Sequence, residues 1–350
     1  MEEKDNILDL LRAEGSQAAR KLRRAVILQP GAIGDCILTL PLAKFMKDSL
    51  DLGSVDIMGH TEYTGILPGR TCINGTRSID LLDLHRLFME TSAFDVSDGD
   101  TLMSAFREYS WVATFLGEPG SDFEQNLIFT INCTHSADVI TLSLKPPKEY
   151  SKHLTKFYIE ECVAQAGLSA EQSGININEI LIRSSESDID EGRVVLRDEG
   201  VDFSKKIIFI HPGSGSKEKC WHLDNFLAVA EKLASQGKDV IFLLGPAELE
   251  RFSKDKLKKI KQASRCLTDL SLKQVLGVLS CADSYLGNDS GITHLAGALG
   301  VKTIAVFGPT NPAVYKPIGP AVTVLEDDRA SFAKKPSAKM QQRLLSILTG

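Results

Sequence analysis

Short apolar runs recur along the chain, each followed by a turn and then by residues at helical spacing. In the first half the runs are "RRAVILQ" (23–29), "SVDIMG" (54–59), "SWVATFL" (110–116) and "ADVITL" (137–142). Their length and β-branched content predict buried strands. Helical period falls between them, at Leu40–Lys47, Leu81–Met89 and Thr101–Glu108. "SKHLTKFYIEECVAQAGL" (151–168) predicts an amphipathic helix closed by Gly167. Residues 6–20 predict a further short amphipathic helix, which Asp5, Asp9 and Glu14 suit to docking on the protein rather than on lipid.

The second half alternates more regularly. "KIIFIH" (206–211), "KDVIFLLG" (238–245), "RCL" (265–267), "ADSYLG" (282–287) and "KTIAVFG" (302–308) are strand patterns. Helical patterns at 222–236, 247–261, 271–280 and 291–300 separate them, and "PSAKMQQRLLSIL" (336–348) ends the chain as a helix. Strand and helix alternating at this interval make right-handed βαβ units and parallel sheets. At 350 residues the chain exceeds one ordinary core. The expected organisation is an N-terminal α/β domain over 1–170 (with 1–23 a helical extension), a linker at 171–190 where Ser, Glu and Asn dominate, a second α/β domain over 191–325, and a helical tail over 326–350.

Composition narrows the function without naming it. The net charge is −6 and no Lys/Arg tract marks a nucleic-acid footprint. The seven cysteines are scattered and never form CxxC, which argues for reduced thiols in a cytoplasmic protein. The first residues lack the apolar core of a signal peptide, and no apolar run reaches the ~20 residues of a membrane span.

Ligands of paired open α/β sheets bind beyond the carboxyl ends of the strands, so the loops that follow the strands carry the chemistry. "QPGAIGD" lacks the Lys of a phosphate loop and the third glycine of GxGxxG. It places Asp35 in the first turn of a helix, either as a carboxylate complementing the helix dipole or as a general base. "HPGSGSKEKCWHL" offers Gly213, Ser214, Gly215 and Ser216 with Lys217 and Lys219, a composition suited to a diphosphate. "LLGPAELE" places Glu248 in a first helical turn, as a surface residue or as a partner for ribose hydroxyls. "LGNDSGITHLAGALG" brings the N-cap types Asn288, Asp289 and Ser290 to a helix mouth able to hold a phosphate. There His294 points away from the apolar stripe of Ile292, Leu295, Ala296 and Leu299, which predicts a position outside the core. "DGD" (98–100) and "DID" (188–190) lie far from these loops and read as surface turns rather than metal ligands.

Together, "PGAIGDCILTLPL", "HPGSGSKEKCWHLDNFLAVAEKL", "LLGPAE" and "YLGNDSGITHLAGALGVKTIAVFGPTNP" resemble the ADP-heptose:lipopolysaccharide heptosyltransferases of glycosyltransferase family 9, over roughly residues 24–325. The resemblance implies a GT-B fold, two Rossmann-like domains with parallel sheets facing a central cleft. It implies an inverting transfer, without metal or other cofactor, of a heptose from ADP-heptose to a lipopolysaccharide core or related lipid-linked acceptor. Transient docking at the inner face of the cytoplasmic membrane would follow from such an acceptor. Asp35 matches the catalytic base. Ser214, Gly215 and Ser216 belong to the diphosphate loop, with Lys219 its charged contact. Glu248 matches the ribose residue, Leu270 the apolar backing of the adenine, Asp289 the residue at the donor sugar, and Ser290, Gly291 and His294 the phosphate end of the helix. The chain departs from the pattern at Gln29, where many members carry Arg, and at His222, where Pro is frequent. It matches least well over 70–135, on the acceptor side. A GT-B transferase or epimerase using another nucleotide sugar, or an inactive nucleotide-sugar-binding protein, fits the same loops.

Overall fold

The computed structural model describes residues 23–169 and 176–349; the helix expected over 6–20 and the start of the expected linker lie outside them. The described residues fall into two compact units, one comprising 23–32, 39–148 and 154–169, the other 33–38, 149–153 and 176–349.

The first unit contains a five-stranded parallel sheet in the order β3-β2-β1-β4-β5. Its strands are β1 (Arg24–Leu28), β2 (Ser54–Gly59), β3 (Gly75–Ser78), β4 (Trp111–Thr114) and β5 (Asp138–Thr141). Ala25 to Leu28 are fully buried, as a central strand covered on both faces requires. One face packs Val26, Leu28 and Val112 on Leu84, Phe106, Phe123 and Leu127. At the amino end of β1, Arg24 bonds Asp56 at 2.6 Å and lies over the Tyr109 ring, whose hydroxyl donates to the same carboxylate at 2.9 Å.

The second unit contains a six-stranded parallel sheet in the order β11-β10-β9-β6-β7-β8. Its strands are β6 (Ile207–His211), β7 (Asp239–Leu243), β8 (Arg265–Leu267), β9 (Ser284–Asn288), β10 (Lys302–Phe307) and β11 (Val322–Glu326). Counted from β6, this is the 3-2-1-4-5-6 order of a dinucleotide-type sheet, with the order reversing between β6 and β9. One face buries Ile208, Ile210, Phe242 and Ile304 against helix Leu223–Ser235 and helix Ala338–Thr349, which supplies Met340, Leu344 and Leu348. Phe332 closes this core by packing over Gly308, where a Cβ would strike its ring.

Several elements differ from expectation. The 81–89 stretch makes only a 3₁₀ turn, Leu84–Phe88. The charged helix over 247–261 is two helices, Pro246–Arg251 and Lys254–Ala263, because Ser253 caps the second. β3, β11, helix Asp122–Asn132 and helix Glu186–Asp198 were not anticipated; the last begins inside the stretch expected as linker. Of the two acidic tripeptides, the first is an exposed turn at 98–99, whereas 188–190 lies within helix Glu186–Asp198. Asp100 caps helix Thr101–Phe106 and pairs with Arg86 at 2.9 Å, and Asp188 is buried in a capping box with Ser185. Both carboxylates are spent on local structure.

Candidate nucleotide-sugar site

The sheet of the second unit reverses order between β6 and β9, and the two loops leaving those strands form one hydrogen-bonded body. Asn288, at the end of β9, is wholly buried. Its amide donates to the carbonyls of Pro212 at 2.8 Å and Gly213 at 3.2 Å, and its oxygen accepts from the Trp221 N–H at 2.9 Å. Ser214 donates to the Asp289 carbonyl at 2.6 Å. The Gly/Ser/Lys loop is therefore pinned at both ends, while Gly215 at its crest is exposed with open space around its Cα. Ser216 is half-buried beside it. His222 caps helix Leu223–Ser235 without a side-chain bond, its N–H donating instead to the Phe332 carbonyl at 3.0 Å.

A line of charge crosses from this loop to the helix mouth. Lys219 Nζ lies 2.8 Å from Asp289 Oδ2, and His294 Nε2 lies 3.7 Å from Asp289 Oδ1. Burial opposes ionisation of Asp289, but His294 and Lys219 outweigh it and hold its carboxyl down to about 2. Ser290 is the N-cap of helix Gly291–Ala298 and accepts from the Thr293 N–H at 3.3 Å. Thr293 in turn donates to the Asn288 carbonyl at 2.5 Å.

His294 is the main correction. It is only 5% exposed, not outside the core. Helix Gly291–Ala298 is packed all round, so the angle from its apolar stripe does not point to solvent. Within the second unit a Cβ on Gly34 would lie 3.4 Å from both Gly291 Cα and the His294 ring. A Cβ on Gly291 would strike the Ile33 side chain and stand 3.2 Å from the Gly34 nitrogen. Two glycines thus let the first turn of helix Ile33–Ser49, which carries Asp35, approach the helix mouth closely. Among the described residues the buried His294 Nδ1 has no hydrogen-bond partner, an arrangement costly unless a ligand completes it.

Glu248 is also buried rather than a surface residue. Its Oε2 accepts from the Gly245 N–H at 2.9 Å, closing a capping box on helix Pro246–Arg251. Its side chain fills the place a Cβ on Gly213 would take, which makes Gly213 obligatory. One turn on, Arg251 donates to the carbonyls of Ser214 at 3.0 Å and Gly215 at 3.2 Å. Sequence reasoning missed Arg251; its place three residues after Glu248, on the same face of a short helix, was the available signal. Leu270 is half-buried, following Asp269 at φ 58° and preceding the Ser271 cap of helix Leu272–Ser280. In the first unit Gln29 is buried, its amide donating to Thr39 at 2.8 Å and its oxygen accepting from the Gly31 N–H at 2.9 Å. It shapes the turn before Asp35.

Two doubly wound parallel sheets, one with a helix mouth at its switch point, define a GT-B-type protein. The family model for glycosyltransferase family 9 (heptosyltransferase) matches residues 147–347, and the chain belongs to that family. It is 29% identical over 148 residues to the lipopolysaccharide core heptosyltransferase OpsX of Haemophilus influenzae, covering 41% of this chain and 43% of that protein. It is 34% identical over 106 residues to lipopolysaccharide heptosyltransferase 1 of Pseudomonas aeruginosa, covering 30% and 29%. The matches thus span less than half the length of these curated relatives. The fold is shared with the E. coli ADP-heptose lps heptosyltransferase II (TM-score 0.66, 16% identity, 93% and 97% of the two chains). It is shared equally with a family 9 glycosyl transferase of Veillonella parvula (TM-score 0.65, 19% identity, 87% and 86%).

Proposed function

We propose that this protein is an inverting heptosyltransferase that moves a heptose from ADP-heptose to a lipopolysaccharide core or related lipid-linked acceptor. The observation that carries this reading is the Lys219–Asp289–His294 line at the mouth of helix Gly291–Ala298. A diphosphate seated there meets a lysine, free helix N–H groups and the unpaired His294 nitrogen. In this reading Glu248 meets the ribose hydroxyls, Leu270 backs the adenine, and Asp289 holds hydroxyls of the sugar. The second unit is then the donor side and the first the acceptor side.

A sugar hydroxyl is a weak nucleophile, so a carboxylate must take its proton as the new bond forms. Asp35 is the residue we assign to this step. The acceptor oxygen attacks the anomeric carbon on the face opposite the phosphate. The carbon–oxygen bond to ADP breaks, the configuration inverts, and the proton passes to the Asp35 carboxylate. The negative charge gathering on ADP falls on Lys219 and the helix mouth, so the reading needs no metal. We place the reaction in the cytoplasm, with the acceptor met at the inner face of the membrane; no described helix is long and apolar enough to cross a membrane.

The test is a thermal-shift comparison of ADP, UDP and GDP, followed by transfer from ADP-heptose to defined core acceptors with product analysis. ADP alone should stabilise the protein and heptosylated product should form. Selective stabilisation by UDP would sink the reading.

A further inference from the structure

Charge is distributed unevenly between the two units. Residues 80–132, in the first, hold ten Asp and Glu against two Arg and no Lys, more negative charge than the whole chain's −6. Residues 251–265, in the second, hold five Lys and two Arg against the single acid Asp255. Part of each excess is ion-paired: Arg86 with Asp100, Glu108 with Arg24, Lys259 with Asp224 and Arg265 with Asp239. The rest stands at the surface. Glu90, Asp95 and Asp98 are exposed on the first unit, Lys254, Lys258 and Lys261 on the second, and none of the six joins an ion pair among the described residues.

The acidic surface is also apolar. Leu81, Phe88, Met89, Ile128 and Phe129 belong to it, five of the nine large apolar side chains exposed among the described residues, so they form a patch rather than a scatter. The patch is firmly built. From helix Asp122–Asn132, Asn126 donates to the carbonyls of Leu87 at 3.1 Å and Met89 at 2.8 Å. Thr91 donates to Asp122 at 2.8 Å, the Phe88 ring lies 4.6 Å from that of Phe123, and Phe94 meets Phe129 edge-on at 6.1 Å. Glu90 and Asp95 flank the turn Thr91–Ala93. Aromatic rings bordered by free carboxylates suit lysine. Its ammonium meets a carboxylate or a ring face, and its methylene stem covers apolar surface. Helix Lys254–Ala263 presents lysines in this way. Ile260 and Leu257 pack on the core, while Lys254, Lys258 and Lys261, at i, i+4 and i+7, share one exposed face. The acidic face repels both an anionic membrane and its own copy across a two-fold axis. We propose that it docks helix Lys254–Ala263 of a second copy of this chain, a contact between two different surfaces.

Sedimentation velocity on the full chain tests this. The weight-average sedimentation coefficient should rise with protein concentration in about 0.1 M salt. It should return to the monomer value in about 1 M salt, as the screening length shrinks from about 10 to about 3 Å. Glu90→Lys/Asp95→Lys/Asp98→Lys and Lys254→Glu/Lys258→Glu/Lys261→Glu should each sediment as monomers. Mixed in equal amounts they should associate again, because each supplies the surface the other has lost. A wild-type monomer at every concentration, association that salt or either triple variant leaves unchanged, or variants that stay monomeric when mixed would overturn the proposal. Binding of phosphatidylserine vesicles through the three lysines, by a chain that itself stays monomeric, would also overturn it and assign the basic helix to lipid.

Discussion

At the scale of single residues, function is assigned here to side chains whose neighbours are already committed. Asp35→Asn should retain ADP binding and lose at least ~10²-fold in transfer, the scale of a lost general base; single-turnover assays with ADP-heptose decide it, and near-normal turnover would remove Asp35 from the chemistry. His153 gives a second expectation. It is 7% exposed, with Nε2 2.9 Å from the Lys316 carbonyl. Burial drives its imidazole down to about 4, against the pull of that carbonyl, with His294 and Lys316 adding to the fall. The folded value lies below the unfolded ~6.5, so the stabilising contribution is complete above pH ~6.5. It is lost as pH falls towards 4, by up to about 3 kcal/mol. Urea titrations across this range should show that slope, and His153→Gln should flatten it. Residue chemistry was the most legible level of the sequence. Glycines, serines and lysine in one loop, and Asn-Asp-Ser at a helix start, identify themselves by type. The burial of His294 and Glu248 was not legible, because it depends on residues 33–34 and on Gly213 arriving from other loops.

At the scale of elements, two helices meet backbone to backbone. A Cβ on Gly277 of helix Leu272–Ser280 would lie 2.5 Å from the Asp188 carbonyl oxygen and 3.2 Å from the Gly192 nitrogen, both on helix Glu186–Asp198. Gly→Ala inside a helix ordinarily gains about 1 kcal/mol in propensity. Here the clash is with backbone that cannot rotate aside, at an overpacking cost of roughly 1–3 kcal/mol or more. Gly277→Ala should therefore destabilise the second unit in urea melts; unchanged or raised stability would show that the helices separate freely. This contact also explains why helix Glu186–Asp198 escaped the sequence reading. Only Asp188, Gly192 and Leu196 of it are buried, so no apolar stripe announces it, and the capping box at Ser185 was the signal available. Helix Asp122–Asn132 carried a similar signal, Ser121 capping the Glu124 N–H. The regular strands of the second half were plain because parallel strands covered on both faces are apolar throughout.

For the whole molecule, two sheets with separate cores imply two unfolding units. Proposed donor contacts all lie in the second, which contains Ser214, Lys219, Glu248, Asp289 and His294. Calorimetry should resolve two transitions, and ADP should raise mainly the one belonging to the second unit, by about 2.7 kcal/mol at a hundredfold excess over its dissociation constant. A uniform rise of both would mean that the units unfold as one. A stretch from 39 to 148 gave the weakest sequence reading, missing β3 and the helices Thr61–Thr64 and Asp122–Asn132, because its short strands and 3₁₀ turns carry little periodicity.

Trp221 stands with its backbone N–H on Asn288 and its indole N–H on Asp327 at 2.8 Å, its ring edge-on to Phe226. The chain has only one other tryptophan, Trp111 in β4 of the first unit. Each unit therefore carries its own fluorophore. Trp111→Phe leaves a single tryptophan, buried at the root of the Gly/Ser/Lys loop, and its emission would follow rearrangement of that loop in real time, with no label attached.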